Sequence, residues 1–265
     1  MEKEIYLKSK RGSLIHAYAQ TADGKGGLVV FAHSFKGEAN EDDRYHRLAQ
    51  MLAEIGVYSI RMEFPGSPFA FEDDRAYCLS NCLDDMEVCA EHMRTNYEIA
   101  EDHLGLVGYS MGGRLACLFA IKHPEYKTLV LWAPCNIVYG LEDDFLEQNV
   151  GMMKKEADEK GSINFYDIFH KQTTVFPAEF VYDLLDQRIK GFKDFPGNIL
   201  IVHGDNDITV DVKESISLYN DLDKCSEKKL EILEKADHGF GLWDGRISDN
   251  EKLIEHSFSF LKEYL

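Results

Sequence analysis

Gly108-Tyr109-Ser110-Met111-Gly112 places a serine between two glycines where the apolar run Leu104 to Val107 gives way to a helical pattern. A strand that turns sharply into a helix strains the residue at the turn and demands small neighbours. Such a turn lifts a hydroxyl above the edge of a sheet, at a helix N-terminus that favours developing negative charge. Gly113 allows close approach of that helix. The chemistry this suits is nucleophilic attack by Ser110, and a serine needs a base for it. His238, in Ala236-Asp237-His238-Gly239-Phe240, follows the last apolar strand and would lie at the same edge; His33 and His203 also end strands and are its rivals. The base in turn needs a carboxylate that fixes its tautomer and stabilises the imidazolium. His203-Gly204-Asp205-Asn206-Asp207-Ile208-Thr209-Val210 offers two, Asp205 and Asp207.

Attack on a carbonyl also needs donors for the oxyanion. The amide of Met111, the residue after the serine, is one candidate. The other is the amide of Phe35, in the loop His33-Ser34-Phe35-Lys36-Gly37 that follows the first buried strand.

These groups need a scaffold, and the hydrophobic pattern supplies one. Ile5 and Leu7, then Leu14, His16 and Tyr18, alternate as in antiparallel strands joined at Lys10-Arg11-Gly12. Beyond them come short, mainly apolar runs at 28–32, 57–60, 103–109, 129–132, 199–202 and 230–233. Most are followed by helical patterns: Tyr45 to Ile55, Leu83 to Ala90, Gly112 to Ile121, Val212 to Leu222, and Leu253 to Leu265. Strands buried on both faces and alternating with helices predict an α/β fold with a mainly parallel, doubly wound sheet and antiparallel N-terminal strands. Its strands' carboxyl ends form one edge where sites are built. The stretch from Cys135 to Lys193 is too long for a single crossover. It holds charge-rich helical pieces (Glu142 to Glu147, Met152 to Lys160) and the aromatics Tyr139, Phe145, Phe165, Tyr166, Phe169, Phe176, Phe180 and Tyr182. We read 135–193 as an inserted cap over a core made of 1–134 and 194–265.

Composition narrows the partners. The 265 residues carry a net charge of −18, which repels nucleic acid and anionic membrane surfaces. No apolar run approaches the roughly 18–20 residues that span a bilayer, and Met1-Glu2-Lys3-Glu4 does not open a signal peptide. The cysteines at 78, 82, 89, 117, 135 and 225 lack metal-ligand spacing and read as reduced thiols of a cytoplasmic protein. The first three read as small buried hydrophobes.

Taken together, the His33–Gly37 loop, Gly-Tyr-Ser-Met-Gly at 108–112, His-Gly-Asp-Asn-Asp at 203–207 and Asp-His-Gly-Phe at 237–240 resemble the α/β-hydrolase superfamily. Within it the chain is most similar to the bacterial cinnamoyl/feruloyl esterases and the dienelactone-hydrolase-like esterases around them. The resemblance implies the α/β-hydrolase fold and the chain order serine, acid, histidine. In the family's Gly-x-x-Asp-x-x-Val pattern Gly204 and Val210 select Asp207 over Asp205. It further implies a serine carboxylic ester hydrolase working through an acyl-enzyme on small acyl or aryl esters, hydroxycinnamates among them, with no metal or organic cofactor. The catalytic residues would be Ser110, Asp207 and His238, with Phe35 and Met111 at the oxyanion. The insertion would serve as a lid over the aromatic part of the substrate, and a homodimer is compatible with this branch. The same triad also serves peptidases, thioesterases and carbon–carbon hydrolases, and a hydrolase-like binding protein is a further alternative. Two stretches depart from the family: Ser34 stands where glycine is usual, and Glu63-Phe64-Pro65-Gly66-Ser67-Pro68 replaces the usual Asp-x-x-Gly-x-Gly-x-Ser loop.

Overall fold

The continuous apolar runs become strands whose alternate residues feed two separate cores. In β3 (Gly26–Ala32) Leu28, Val30 and Ala32 enter one core, while Val29 and Phe31 enter the other. The same division holds for Leu129 and Leu131 against Val130 and Trp132 in β6 (Tyr126–Trp132), and for Ile199 and Ile201 against Leu200 and Val202 in β9 (Asn198–Gly204). A strand buried on both sides cannot alternate in polarity, which is why these segments read as unbroken apolar runs. The computed structural model describes residues 1–135, 144–167, 171–186, 192–243 and 245–265, with the backbone alone at 144–150 and 167.

The main sheet has eight strands in the order β1-β2-β4-β3-β5-β6-β9-β10. The others are β1 (Glu2–Lys8), β2 (Leu14–Gln20), β4 (Tyr58–Met62), β5 (Ile99–Tyr109) and β10 (Glu227–Leu233). β2 runs antiparallel to both β1 and β4, and the pairings from β4 to β10 are parallel. The N-terminal alternation is present, and the face of β2 that enters the core carries Ile15, Ala17 and Ala19. Leu14, His16 and Tyr18 share the opposite face, where His16 stacks on Tyr6.

Helices cover both faces. α1 (Arg44–Glu54) and α7 (Ile247–Tyr264) bury Leu48, Leu52, Leu253, Phe260 and Leu261 on one side. On the other, α2 (Leu79–Asn96), α3 (Met111–Lys122) and α6 (Val212–Asp221) bury Cys82, Met86, Leu115, Phe119 and Leu218. The arrangement is the α/β-hydrolase fold. Each fully buried Leu or Phe contributes on the order of 2 kcal/mol. The indole of the buried Trp132 donates to Ser257 Oγ at 2.8 Å, so its polar atom is satisfied.

Between β6 and β9 the chain leaves the sheet. α4 (Asp144–Lys160) is followed by β7 (Ser162–Asp167) and β8 (Gln172–Pro177), an antiparallel pair separate from the main sheet, and by α5 (Ala178–Asp186). The pattern predicts two helical pieces here, and one helix runs through instead. A single glycine, Gly151, costs about 1 kcal/mol in a helix, too little to break it. Glu142, Tyr139 and Phe169 lie outside the described residues, as does the side chain of Phe145. Among the described residues all six cysteines are free and no helix is long and apolar enough to cross a membrane.

Candidate active site

Ser110 ends β5 and begins α3 with φ 55° and ψ −117°, a conformation side chains rarely adopt. Its glycines are required by contact. A Cβ on Gly108 would lie 2.2 Å from the Gly112 carbonyl oxygen, and one on Gly112 would lie 1.9 Å from that of Ala32. A Cβ on Gly113 would meet Pro134 at 2.8 Å. Hydrogen bonds hold the turn from outside: the Ser110 amide donates to Trp132 (2.8 Å), and its carbonyl accepts from Gly113 (3.0 Å) and Cys135 (3.2 Å).

His238 lies in the loop after β10, with its Nε2 3.1 Å from Ser110 Oγ and its Nδ1 2.6 Å from Asp207 Oδ2. A carboxylate only accepts, so Nδ1 carries the proton and the Nε2 lone pair faces the serine hydroxyl. Asp207 Oδ1 accepts from the amides of Thr209 (2.8 Å) and Val210 (2.9 Å). Burial opposes its charge, but bonds from His203, His238 and the Val210 amide outweigh burial and hold the carboxyl well below the usual range. Asp205 is placed otherwise: its Oδ1 accepts from the Lys235 amide at 2.5 Å, tying the acid loop to the histidine loop. Gly204 lets those loops meet, since a Cβ there would lie 2.1 Å from the Ala236 carbonyl oxygen.

The two rival histidines do other work. His203 Nε2 lies 3.1 Å from Asp207 Oδ2 and 3.0 Å from the Val210 carbonyl, and Nδ1 lies 2.6 Å from Ser215 Oγ. Both Nε2 partners are acceptors, so His203 donates to the carboxylate that orients His238. In the sequence it shows only as a strand-ending histidine. His33 Nδ1 donates to the Ser34 carbonyl (2.7 Å), and its Nε2 accepts from the Phe64 amide (3.1 Å). Burial lowers its pKa to about 4, which keeps it neutral. The divergent Glu63–Pro68 loop therefore buttresses His33, with Glu63 accepting from Ser67 Oγ (2.6 Å) and the Ala39 amide (3.2 Å).

The amides of Phe35 and Met111 have no hydrogen-bond partner among the described residues and are available as donors. The Phe35 ring packs against Tyr77, Phe165, Phe176 and Phe180, with centroids 5.3, 5.6, 5.5 and 6.0 Å away. Cys135, beside the serine, is pushed up to about 12 by burial and stays a thiol.

Residues with no assigned role in the sequence also converge here. Glu41 accepts from the Ser34 amide and hydroxyl, Arg44 lies beside Glu41, and Tyr109 donates to the His238 carbonyl at 2.8 Å. An acidic run ahead of a helix reads as a solvated surface, so nothing in the sequence marks Glu41 as buried. Among the described residues no cluster of three or more His, Cys, Asp or Glu side chains is arranged to hold a metal.

Similar proteins agree on the frame that holds this site. A model of the prolyl oligopeptidase family matches residues 43–265. Monoacylglycerol lipase abhd6-A of Xenopus laevis is 31% identical over 151 residues, a stretch that takes in 55% of this chain and only 42% of the relative. Among solved structures, a putative hydrolase from Agrobacterium vitis S4 superposes with a TM-score of 0.78 at 17% identity, covering 98% of each chain. Est1E from Butyrivibrio proteoclasticus, solved with ferulic acid bound, superposes with a TM-score of 0.72 at 18% identity, covering 97% of this chain and 99% of its own. The family match takes in Ser110, Asp207 and His238 and most of the sheet that carries them, and the chain belongs to the prolyl oligopeptidase family.

Proposed function

We propose that this protein is a serine hydrolase that cleaves carboxylic esters of small acyl or aryl acids through an acyl-enzyme. The observation that carries the reading is the connected line from Asp207 through His238 to Ser110, at 2.6 and 3.1 Å. His238 Nε2 takes the Ser110 proton as Oγ attacks the ester carbonyl, and Asp207 stabilises the imidazolium that forms. The tetrahedral oxyanion lies between the amides of Phe35 and Met111 at the N-terminus of α3; each such donor is worth about 100- to 1,000-fold in rate. His238 then hands its proton to the leaving alkoxide. In the second half-reaction it deprotonates water, which attacks the acyl-serine and releases the acid. No step calls for a metal or an organic cofactor.

Residues 135–193 form, in this reading, a cap that bounds the acyl site. Its aromatics support a hydroxycinnamate substrate less directly than their number suggests, because Phe176 and Phe180 are buried against Phe35 and Tyr77. The ferulic acid bound to Est1E and the lipase name of the Xenopus relative support ester substrates of two shapes, aryl and monoacylglycerol. Unpaired thiols support a reducing, cytoplasmic setting. The family match supports a second reading, in which the same triad cuts a peptide bond.

Purified protein should hydrolyse p-nitrophenyl butyrate and a hydroxycinnamate methyl ester and take up a fluorophosphonate at Ser110. Turnover of prolyl p-nitroanilides alone would transfer the assignment to the peptidase reading. Neither turnover nor labelling would end both.

A further inference from the structure

Resting on the hydrolase reading above, we propose that Glu41 is a positioning residue: with Ser34 and Arg44 it fixes the oxyanion-binding amide of Phe35 and joins that loop to the loop bearing His238.

The geometry starts at one peptide unit. The Ser34 carbonyl and the Phe35 N–H belong to the same planar trans peptide, so they point in opposite directions and whatever holds Ser34 aims the Phe35 amide. Ser34 is held at every polar atom. Its carbonyl accepts from the Gly37 amide (3.0 Å) and from His33 (2.7 Å). Its own amide donates to Glu41 Oε2 (2.7 Å), and its hydroxyl to Glu41 Oε1 (2.9 Å). The hydroxyl that departs from the family's usual glycine is thus a second tether to the same carboxylate. Gly37 makes room for it, since a Cβ there would lie 2.5 Å from Ser34 Oγ and 3.0 Å from Glu41 Oε2.

The backbone around Glu41 is built to turn that carboxylate inward. Glu41, Asp42 and Asp43 follow one another at φ 48°, 52° and 69°, three left-handed residues without a glycine. Such a run costs free energy at each position and persists only where its surroundings hold it. Here the reward is a buried ion pair. Glu41 and Arg44 are 4% and 2% exposed, with Glu41 Oε1 and the Arg44 guanidinium 3.5 Å apart.

Arg44 carries the connection across the site. Its guanidinium donates to the Glu41 carbonyl (3.0 Å) and to the Gly239 carbonyl (3.4 Å), next to His238. It also lies 4.8 Å from the ring centre of Tyr109, whose hydroxyl donates to the His238 carbonyl at 2.8 Å. One buried pair therefore touches the loop of the oxyanion donor, the residue before the nucleophile and the loop of the base.

The test compares wild type, E41Q and S34A on p-nitrophenyl butyrate, with thermal melts and with inhibition by a phenylboronic acid, whose tetrahedral adduct occupies the oxyanion site. The expected result for E41Q is a fall in kcat of about 10- to 100-fold with KM within about threefold, and boronic-acid binding weakened by a matching factor. S34A loses one hydroxyl tether and should lose about 3- to 10-fold in kcat at an unchanged melting temperature. A packing role alone would move the melting temperature without this division between kcat and KM. If both variants keep kcat within twofold of wild type, or lose only KM, the positioning role is overturned. Should E41Q fail to fold, S34A decides alone by the same criteria. A wild type that neither hydrolyses the ester nor takes fluorophosphonate overturns the hydrolase reading and this role with it. An active wild type with indifferent variants overturns only this role.

Discussion

The sheet edge that carries Ser110, Asp207 and His238 and the segment between β6 and β9 are held together in different ways. At the edge, glycines and backbone bonds set the serine turn and the acid loop: Gly108 and Gly112 admit the serine turn, Gly204 admits the acid loop, and two amides hold Asp207. The inserted segment is held by side-chain packing, and much of it converges on the ring of Phe35. Geometry of the first kind tolerates almost no substitution, whereas packing of the second kind can be rebuilt from other apolar residues. Phe35 joins the two regions: its ring packs on the insertion, and in the proposed reaction its amide faces the oxyanion.

The largest effects should come from the edge. Ser110→Ala is expected to lower ester turnover by about 1,000-fold or more and to abolish fluorophosphonate labelling, with a melting temperature at or above that of wild type. Asp207→Asn should lower kcat by about 1,000-fold or more, because an amide at 2.6 Å no longer enforces the Nδ1–H tautomer of His238. It also has a pH consequence. The folded-state carboxyl is held below its unfolded value of about 3.9, so its stabilising contribution is complete above that pH. That contribution is lost as pH falls through the lower, folded-state value. Urea titrations from pH 7 downward should therefore show a constant stability gap between wild type and Asp207→Asn until below about pH 4, where it narrows.

Next in size, and a direct way to break the contrast, is Phe176→Ala. Removing a fully buried ring should cost about 3–5 kcal/mol in urea denaturation. Because that ring packs on Phe35, kcat should fall as well, by about tenfold, on the protein that remains folded. A stability loss with kcat unchanged would separate the two regions completely. Gly112→Ala tests the edge in return: a Cβ 1.9 Å from the Ala32 carbonyl should cost about 2–4 kcal/mol by forcing β3 and α3 apart.

This contrast also explains what could be read from the sequence. The strands announce themselves because burial on both faces leaves no polar residue in runs such as Leu28 to Ala32. The site announces itself because close backbone approach demands glycine at fixed distances from Ser110, Asp207 and His238. The β7–β8 hairpin does not: its inward set is only Ile163 and Phe165 opposite Thr174 and Phe176, too few residues to show a period among so many aromatics. Glu41 is hidden for a different reason. Its burial depends on three consecutive left-handed residues, and Glu-Asp-Asp has no compositional mark of that conformation. His203 is visible as a strand-ending histidine, but its duty toward Asp207 depends on a loop closing back on its own strand.

The smallest expected effect sharpens the contrast within the insertion itself. The hairpin alternates, with Ile163 and Phe165 turned toward the core and Asn164 and Tyr166 turned away, and Tyr166 is 56% exposed. A ring that is largely solvated contributes little to folding, so Tyr166→Ser should shift stability by no more than about 0.5 kcal/mol. Its kcat on p-nitrophenyl butyrate should stay within about twofold of wild type, since the inward face of the hairpin, the one that reaches Phe35, is untouched. A hydroxycinnamate ester makes the measurement informative. If KM for that ester rises several-fold while the butyrate kinetics and the melt are unchanged, the outward face of the hairpin binds the aryl group and the insertion divides its work between two faces. If neither substrate responds, the insertion acts on the reaction through its packed face alone.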